Sequence, residues 1–202
     1  MVNKVEVRSA SVVLVSSGLV NPDTVNPDKL SRAGVVPYEW SVINTVTTEL
    51  AARTEYANDI SISVDGNRCV FWEQIEGPFQ PAYEVHDVAK RYADATRLVQ
   101  YDAIGVNWSL DVIGVDPSGW LRDKVVGLGT VFGDFQTSQV RMVKWAGDYF
   151  FNITVVNDNA GILLDCNYHY QVAGNPPHLI EAILDGVDQL QNHLVSDVVS
   201  RV

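Results

Sequence analysis

Residues 101–113 read YDAIGVNWSLDVI, and this alternation constrains the fold more than any other stretch of the chain. Ile104, Val106, Trp108, Leu110 and Val112 fall on one side, and Asn107, Ser109 and Asp111 on the other. Successive side chains of a strand point to opposite faces, so the period predicts a strand with one buried and one polar face.

Other segments carry the same signal. Residues 5–15 (VEVRSASVVLV) are β-branched and free of breakers, which predicts a first strand. Ile60–Val64 and Arg68–Trp72 flank Asp65-Gly66, a pair suited to the positive φ angles of a tight hairpin turn. Three strands at about 137–146, 148–157 and 161–172, with turns at Gly147-Asp148 and Asn157-Asp158-Asn159, read as an antiparallel meander. Residues 40–54 are ambiguous: the Thr- and Val-rich half favours a strand and Glu49–Arg53 a helix, and strand is the reading preferred. Ser16–Pro37, punctuated by Asn21-Pro22, Asn26-Pro27, Gly34 and Pro37, is a long loop with a helical turn at 28–33 in which Asp28 is the expected cap. Its Leu19, Val20, Val25, Leu30, Val35 and Val36 predict that it packs against the core.

Helical spacing enters at 84–95, where Val85, Val88, Ala89 and Tyr92 share one face. A short helix is expected from Asp116-Pro117-Ser118-Gly119 to Val126. At the C-terminus Asn175-Pro176-Pro177 supplies a start, and Ile180, Ile183, Leu184, Val187, Leu190, Leu194 and Val198 form one apolar stripe opposite Glu181, Asp185, Asp188, Gln189 and Asn192. No internal repeat, low-complexity tract or linker divides the chain. The expected fold is a single α+β domain over residues 1–202, a mainly antiparallel sheet packed against a long C-terminal helix and one or two shorter helices.

Composition narrows the function classes. With 47% hydrophobic and 19% charged residues the chain has the material for a core. Twenty-five acidic residues against 14 basic ones give a net charge of −11, and the basic residues are scattered, which argues against a nucleic-acid face. The nearest basic cluster, Lys90-Arg91, is expected on a solvated helix face. Apolar runs fall far short of the roughly 20 residues of a membrane span, and the charged start of the chain does not read as a signal peptide, so a cytoplasmic location is expected. Cys69 and Cys166 lie in strand-like stretches and are expected as buried thiols. His86, His169, His178 and His193 lack metal-ligand spacing, so neither a metal nor a cofactor is expected. Gly127, Gly129 and Gly133 superficially resemble a phosphate loop, but the third glycine comes one residue late, so they read as a connector. Most of the tryptophans are expected in the core and Trp120 at the surface; His193 and Asp197 are expected as a surface pair.

The candidate site is a row on the last strand. Asp165, Asn167 and His169 are spaced by two and project from one face at intervals of about 6.6 to 7 Å. If neighbouring strands align, Asn152 and Thr154, with Asn107, Ser109 and Asp111, extend the same polar face. Such a face binds polar ligands, and His169 with a carboxylate could perform acid/base chemistry, although no activated nucleophile accompanies the row.

The order of Asn21-Pro22, Pro27-Asp28-Lys29-Leu30, Gly34-Val35-Val36-Pro37, a hairpin ending in Phe71, a helix, and Ala103-Ile104-Gly105-Val106-Asn107 resembles a group of uncharacterised bacterial proteins. That resemblance implies a closing sheet and a long C-terminal helix, and carries over no activity or catalytic residue. Three functions follow as expectations. The first is non-enzymatic binding or assembly, by self-association or with another protein, through a sheet face or an edge with few blocking lysines. The second is a small-molecule carrier with a pocket between curved sheet and C-terminal helix. The last is a hydrolase-type enzyme using the Asp165, Asn167 and His169 face.

Overall fold

The first expected strand and the strand at 101–113 find each other. In the computed structural model, which describes residues 4–80, 82–115, 139–158, 161–173 and 178–197, β1 (Lys4–Ser16) pairs antiparallel with β6 (Tyr101–Ile113) along its length. Between them in sequence come a 3₁₀ turn (Pro22–Val25), α1 (Pro27–Arg32), β2 (Val42–Thr47), β3 (Ala51–Tyr56), β4 (Ile60–Asp65), β5 (Arg68–Gly77) and α2 (Glu84–Ala95). After β6 follow β7 (Gln139–Ala146), β8 (Tyr149–Asp158), β9 (Gly161–Gln171), α3 (His178–Asp185) and α4 (Val187–Asp197). The strands form one nine-stranded sheet in the order β2-β3-β4-β5-β1-β6-β9-β8-β7, with every neighbouring pair antiparallel.

This order contains a repeat that the sequence conceals. β1 occupies the centre, the chain moves to one edge, returns through β2, β3, β4 and β5 to pair with β1, and enters α2. β6 then starts beside β1, and β7, β8 and β9 return from the other edge to pair with β6 before α3. The buried apolar residues that follow each half keep one spacing, Val85, Val88, Ala89 and Tyr92 on α2 against Ile180, Ile183 and Leu184 on α3 with Val187 at the start of α4. Pattern repeats while residue identity does not, so comparing letters misses it.

Register puts the apolar rows on one face. Ile62, Phe71, Val12, Val106, Tyr168 and Phe151 lie side by side across six strands. The N-terminal 3₁₀ turn packs over β3 and β4, where buried Thr54 Oγ1 donates to Val25 O at 2.7 Å, and α2 packs on β5, β1 and α3. Trp108, 1% exposed, anchors this side with its ring edge-on to Tyr168 and His86. No side chain at the N-cap Tyr83 caps α2; instead Glu73 of β5 accepts the Val85 N–H at 2.9 Å. A carboxylate there satisfies an orphan donor and faces the positive helix end.

Several expectations are corrected. Residues 40–54 are strand as preferred, but divided between β2 and β3 by a turn at 48–50. The 60–72 hairpin turns at Gly66-Asn67, with Gly66 alone at positive φ (+59°), while Asp65 stays in the ladder opposite Arg68. Asn26, not Asp28, caps α1, accepting the Asp28 and Lys29 N–H groups. The C-terminal helix is not one long rod: it breaks at Gly186 into α3 and α4, because glycine weakens helical propagation while the apolar stripe runs on across the break. Arg91 is not simply solvated; its Nε donates to Val35 O at 2.8 Å. His193 Nδ1 meets the Tyr168 hydroxyl at 2.8 Å, so it is part of the helix–sheet contact rather than a surface pair. Trp145 is 73% exposed on β7, whereas Trp120, the expected helix at 116–126 and the glycines at 127–133 lie outside the described residues. Both cysteines are free and buried. Among the described residues no helix is long and apolar enough to cross a membrane.

Two stability predictions follow from this packing. His86, 8% exposed with Nε2 unpartnered among the described residues, has its pKa pushed down to about 4 by burial. The unfolded chain, with histidine near 6.5, binds that proton first as pH falls, so stability present above about pH 6.5 is lost toward pH 4, by roughly 3 kcal/mol. Urea unfolding across this range should show the slope, and His86→Phe should flatten it. Gly186→Ala should raise stability by about 1 kcal/mol, because a Cβ there makes only ordinary contact with Ala182 O at 3.4 Å.

Candidate functional site

The other face of the sheet carries the polar rows. Trp72 of β5, Ser11 of β1, Asn107 of β6, Asn167 of β9 and Asn152 of β8 are register partners in succession across five strands. A second row beside it runs Gln74, Ser9, Ser109, Asp165, Thr154 and Arg141. The alignment expected for Asn152, Thr154, Asn107 and Ser109 is therefore the alignment observed, and Asp111 continues the same face of β6 opposite Glu6. It follows from pleating: partners directly opposite in an antiparallel pair project to the same side.

The asparagines are joined in one chain of hydrogen bonds. Arg141 Nη2 donates to Asn152 Oδ1 at 3.2 Å, Asn152 Nδ2 to Asn167 Oδ1 at 3.3 Å, Asn167 Nδ2 to Asn107 Oδ1, and Asn107 Nδ2 to Ser11 Oγ at 3.1 Å. A guanidinium only donates, so Arg141 fixes which way Asn152 presents its amide, and each amide then fixes the next. The aligned amides polarise one another in the half-buried surface. Gly105 belongs to this arrangement: a Cβ there would stand 3.2 Å from Asn167 Nδ2, so the missing side chain makes room for the amide.

Two cavities open on this face. One of about 440 Å³ is lined by the asparagine chain with Ser9, Ser11, Trp72, Ser109, Thr154, Arg141 and Asp165. The other, about 690 Å³, is lined by Glu6, Arg8, Ser9, Trp72, Gln74, Glu76 and Asp111. Trp72 and Ser9 line both, so the cavities adjoin across the middle of the sheet. A bulge in β1 between Val7 and Ser9 supplies the extra residue Arg8, which grips Asp111 with Nε–Oδ2 at 3.0 Å and Nη2–Oδ1 at 2.7 Å.

The expected site residues thus separate into groups. Asn107, Asp165 and Asn167 meet in the first cavity, with the Ser109 hydroxyl donating to Asp165. Asp111 lies in the second. His169 is on the same face but turned to other work: it stacks on Phe150 with ring centroids 4.8 Å apart, and its Nε2 lies 2.9 Å from Gln171 Nε2. Partial burial, helped by Arg68, holds His169 below the ordinary histidine range, which favours the neutral ring at pH 7. No group of His, Cys, Asp and Glu suited to a metal occurs among the described residues. Sequence reasoning missed Ser9, Ser11, Trp72 and Arg141. The serines were detectable as an alternating pair on β1, whereas Trp72 and Arg141 belong to the site only through register.

No protein-family model matches the chain, and no curated protein matches it.

Asn167→Leu removes the middle of the amide chain and strands Asn152 and Asn107, at an expected cost of about 1–2 kcal/mol in urea unfolding. A double-mutant cycle on Asn107 and Asn167 should return a coupling of about 1 kcal/mol; strict additivity would show that the amides act separately.

Proposed function

We propose that the protein is a non-enzymatic binding protein that holds a polar ligand on the open face of its sheet. The observation that carries this reading is the oriented amide chain lining an open cavity of about 440 Å³. A site of that volume falls in the range of small-molecule sites. Ordering several polar side chains from five strands costs conformational entropy, and a solvated face needs no such order. Asn152 and Asn167 each use one N–H and one lone pair on their neighbours, which leaves one of each for a ligand, while Asn107 gives its Nδ2 to both Ser11 Oγ and Ser11 O and keeps a lone pair.

The acid/base alternative has less support. Asp165 accepts from Ser109 while His169 is engaged two residues along the strand, so no nucleophile, base and orienting group stand in sequence among the described residues. On the helix-covered side, Trp108, Tyr168, Ile183, Leu190 and Leu194 are buried together, which favours the open face over a pocket beneath the helices.

Assembly is a second reading, favoured by one edge. β2 reads VINTVT, carries no charge, is exposed along its length, and leaves Val42, Ile43 and Val46 uncovered. Unblocked edges of this composition pair with another strand, here that of a second copy.

Titrating the labelled protein with a library of small hydroxyl- and amide-bearing compounds, followed by nuclear magnetic resonance, tests the first reading. Shifts should concentrate on Ser11, Asn107, Asn152 and Asn167. Shifts centred on Tyr168, Ile183 and Leu190 would move the site to the helix side and overturn it. Loss of a dimer on Ile43→Lys, measured by sedimentation, would establish the edge reading.

A further inference from the structure

We infer that the ligand of the open face is a linear, neutral oligosaccharide whose sugar rings lie across Trp72; the inference rests on the binding reading above and names its ligand class. Three observations converge on it. First, Trp72 stands half-buried between the two cavities and lines both, so a ligand that covers its ring extends into each. That favours an elongated molecule of several units over a compact one. An indole face is a large, rigid apolar platform, and the axial C–H groups of a pyranose ring are its natural complement.

Second, the groups around the tryptophan are mostly uncharged and bifunctional. Ser9, Ser11, Asn107, Ser109, Asn152 and Asn167 each donate and accept. Register partners are spaced at about 4.7–4.9 Å across a sheet, and the Asn152 and Asn167 amides there each keep a donor beside an acceptor. A sugar hydroxyl also donates and accepts, so neighbouring hydroxyls on a ring satisfy both atoms of one amide.

Third, charge excludes the anionic alternatives. In the first cavity the cation Arg141 is balanced by Asp165 and already committed to Asn152. In the second, Glu6, Glu76 and Asp111 outnumber Arg8, which Asp111 grips in two places. On a chain of net charge −11 this field repels phosphates, uronates and nucleic acid.

The test is a nuclear magnetic resonance titration of the full chain that follows the Trp72 indole and the side-chain amides of Asn107, Asn152 and Asn167. The probes are linear hexasaccharides of glucose, mannose, xylose and N-acetylglucosamine, a hexagalacturonate of the same length, and an unstructured Gly/Ser/Thr/Asn peptide. The expected result is that at least one neutral hexasaccharide shifts all four signals, that hexagalacturonate does not, and that Trp72→Ala weakens binding about tenfold. Asn152→Asp, which keeps the shape and replaces the amide donor, should weaken it too while the fold is retained. If the peptide or hexagalacturonate moves these signals and no neutral sugar does, the sugar class is wrong and the binding face stands. If neither these probes nor the small-compound library shifts the face, both readings fall.

Discussion

The antiparallel pairing of β1 with β6 is the constraint on which everything else depends. Val12 opposite Val106 and Leu14 opposite Ile104 give the helices their apolar floor, while Ser11 opposite Asn107 and Ser9 opposite Ser109 begin the polar rows. A slip of one residue would exchange the faces of an entire strand, so burial of one side enforces the register of the other. The bulge at Arg8 serves the same end. It absorbs one residue without disturbing the alternation, and Val7 and Ala10 both remain buried. Each half of the chain then builds outward from its own central strand, which is why the two halves share a path.

The two faces solve different problems. On the helix side, burial drives assembly and the few polar groups are individually served, as Thr54 is by Val25 and the start of α2 by Glu73. On the open side the half-buried polar groups serve one another, and the resulting chain has a direction because one end is an arginine. The same cross-strand geometry that stacks Phe71, Val12 and Val106 on one surface stacks amides and hydroxyls on the other. The proposed binding surface is in this sense a by-product of the core's register.

How much was legible depends on the distance over which each signal acts. Alternation within a strand is local, so Asp165, Asn167 and His169 were assigned to one face from their spacing, and the structure places them there. Whether Asn152 and Asn107 lie beside Asn167 depends on strand order and register, which compare residues 15 and 60 positions apart. Trp72 and Arg141 are further examples, since nothing near them in sequence marks them as neighbours of the asparagines. His169 shows the opposite failure: its row was legible, but its stacking on Phe150 and its distance from acid/base partners were not. The C-terminal stripe illustrates a third limit, because apolar spacing continues through Gly186 whether or not the helix does. The concealed repeat is a fourth, kept in burial pattern and topology rather than in letters.

Alone, the sequence determined the α+β class, most of the strands and their two faces, the buried thiols and the net negative charge, because periodicity, turn chemistry and charge are written in neighbouring residues. The tertiary structure decided the strand order, the central β1–β6 pair, the break between α3 and α4, and the meeting of Trp72, Ser11, the asparagines and Arg141 around one open surface. The physical reason is register: it is set by the summed burial of whole rows of side chains, which no local pattern contains.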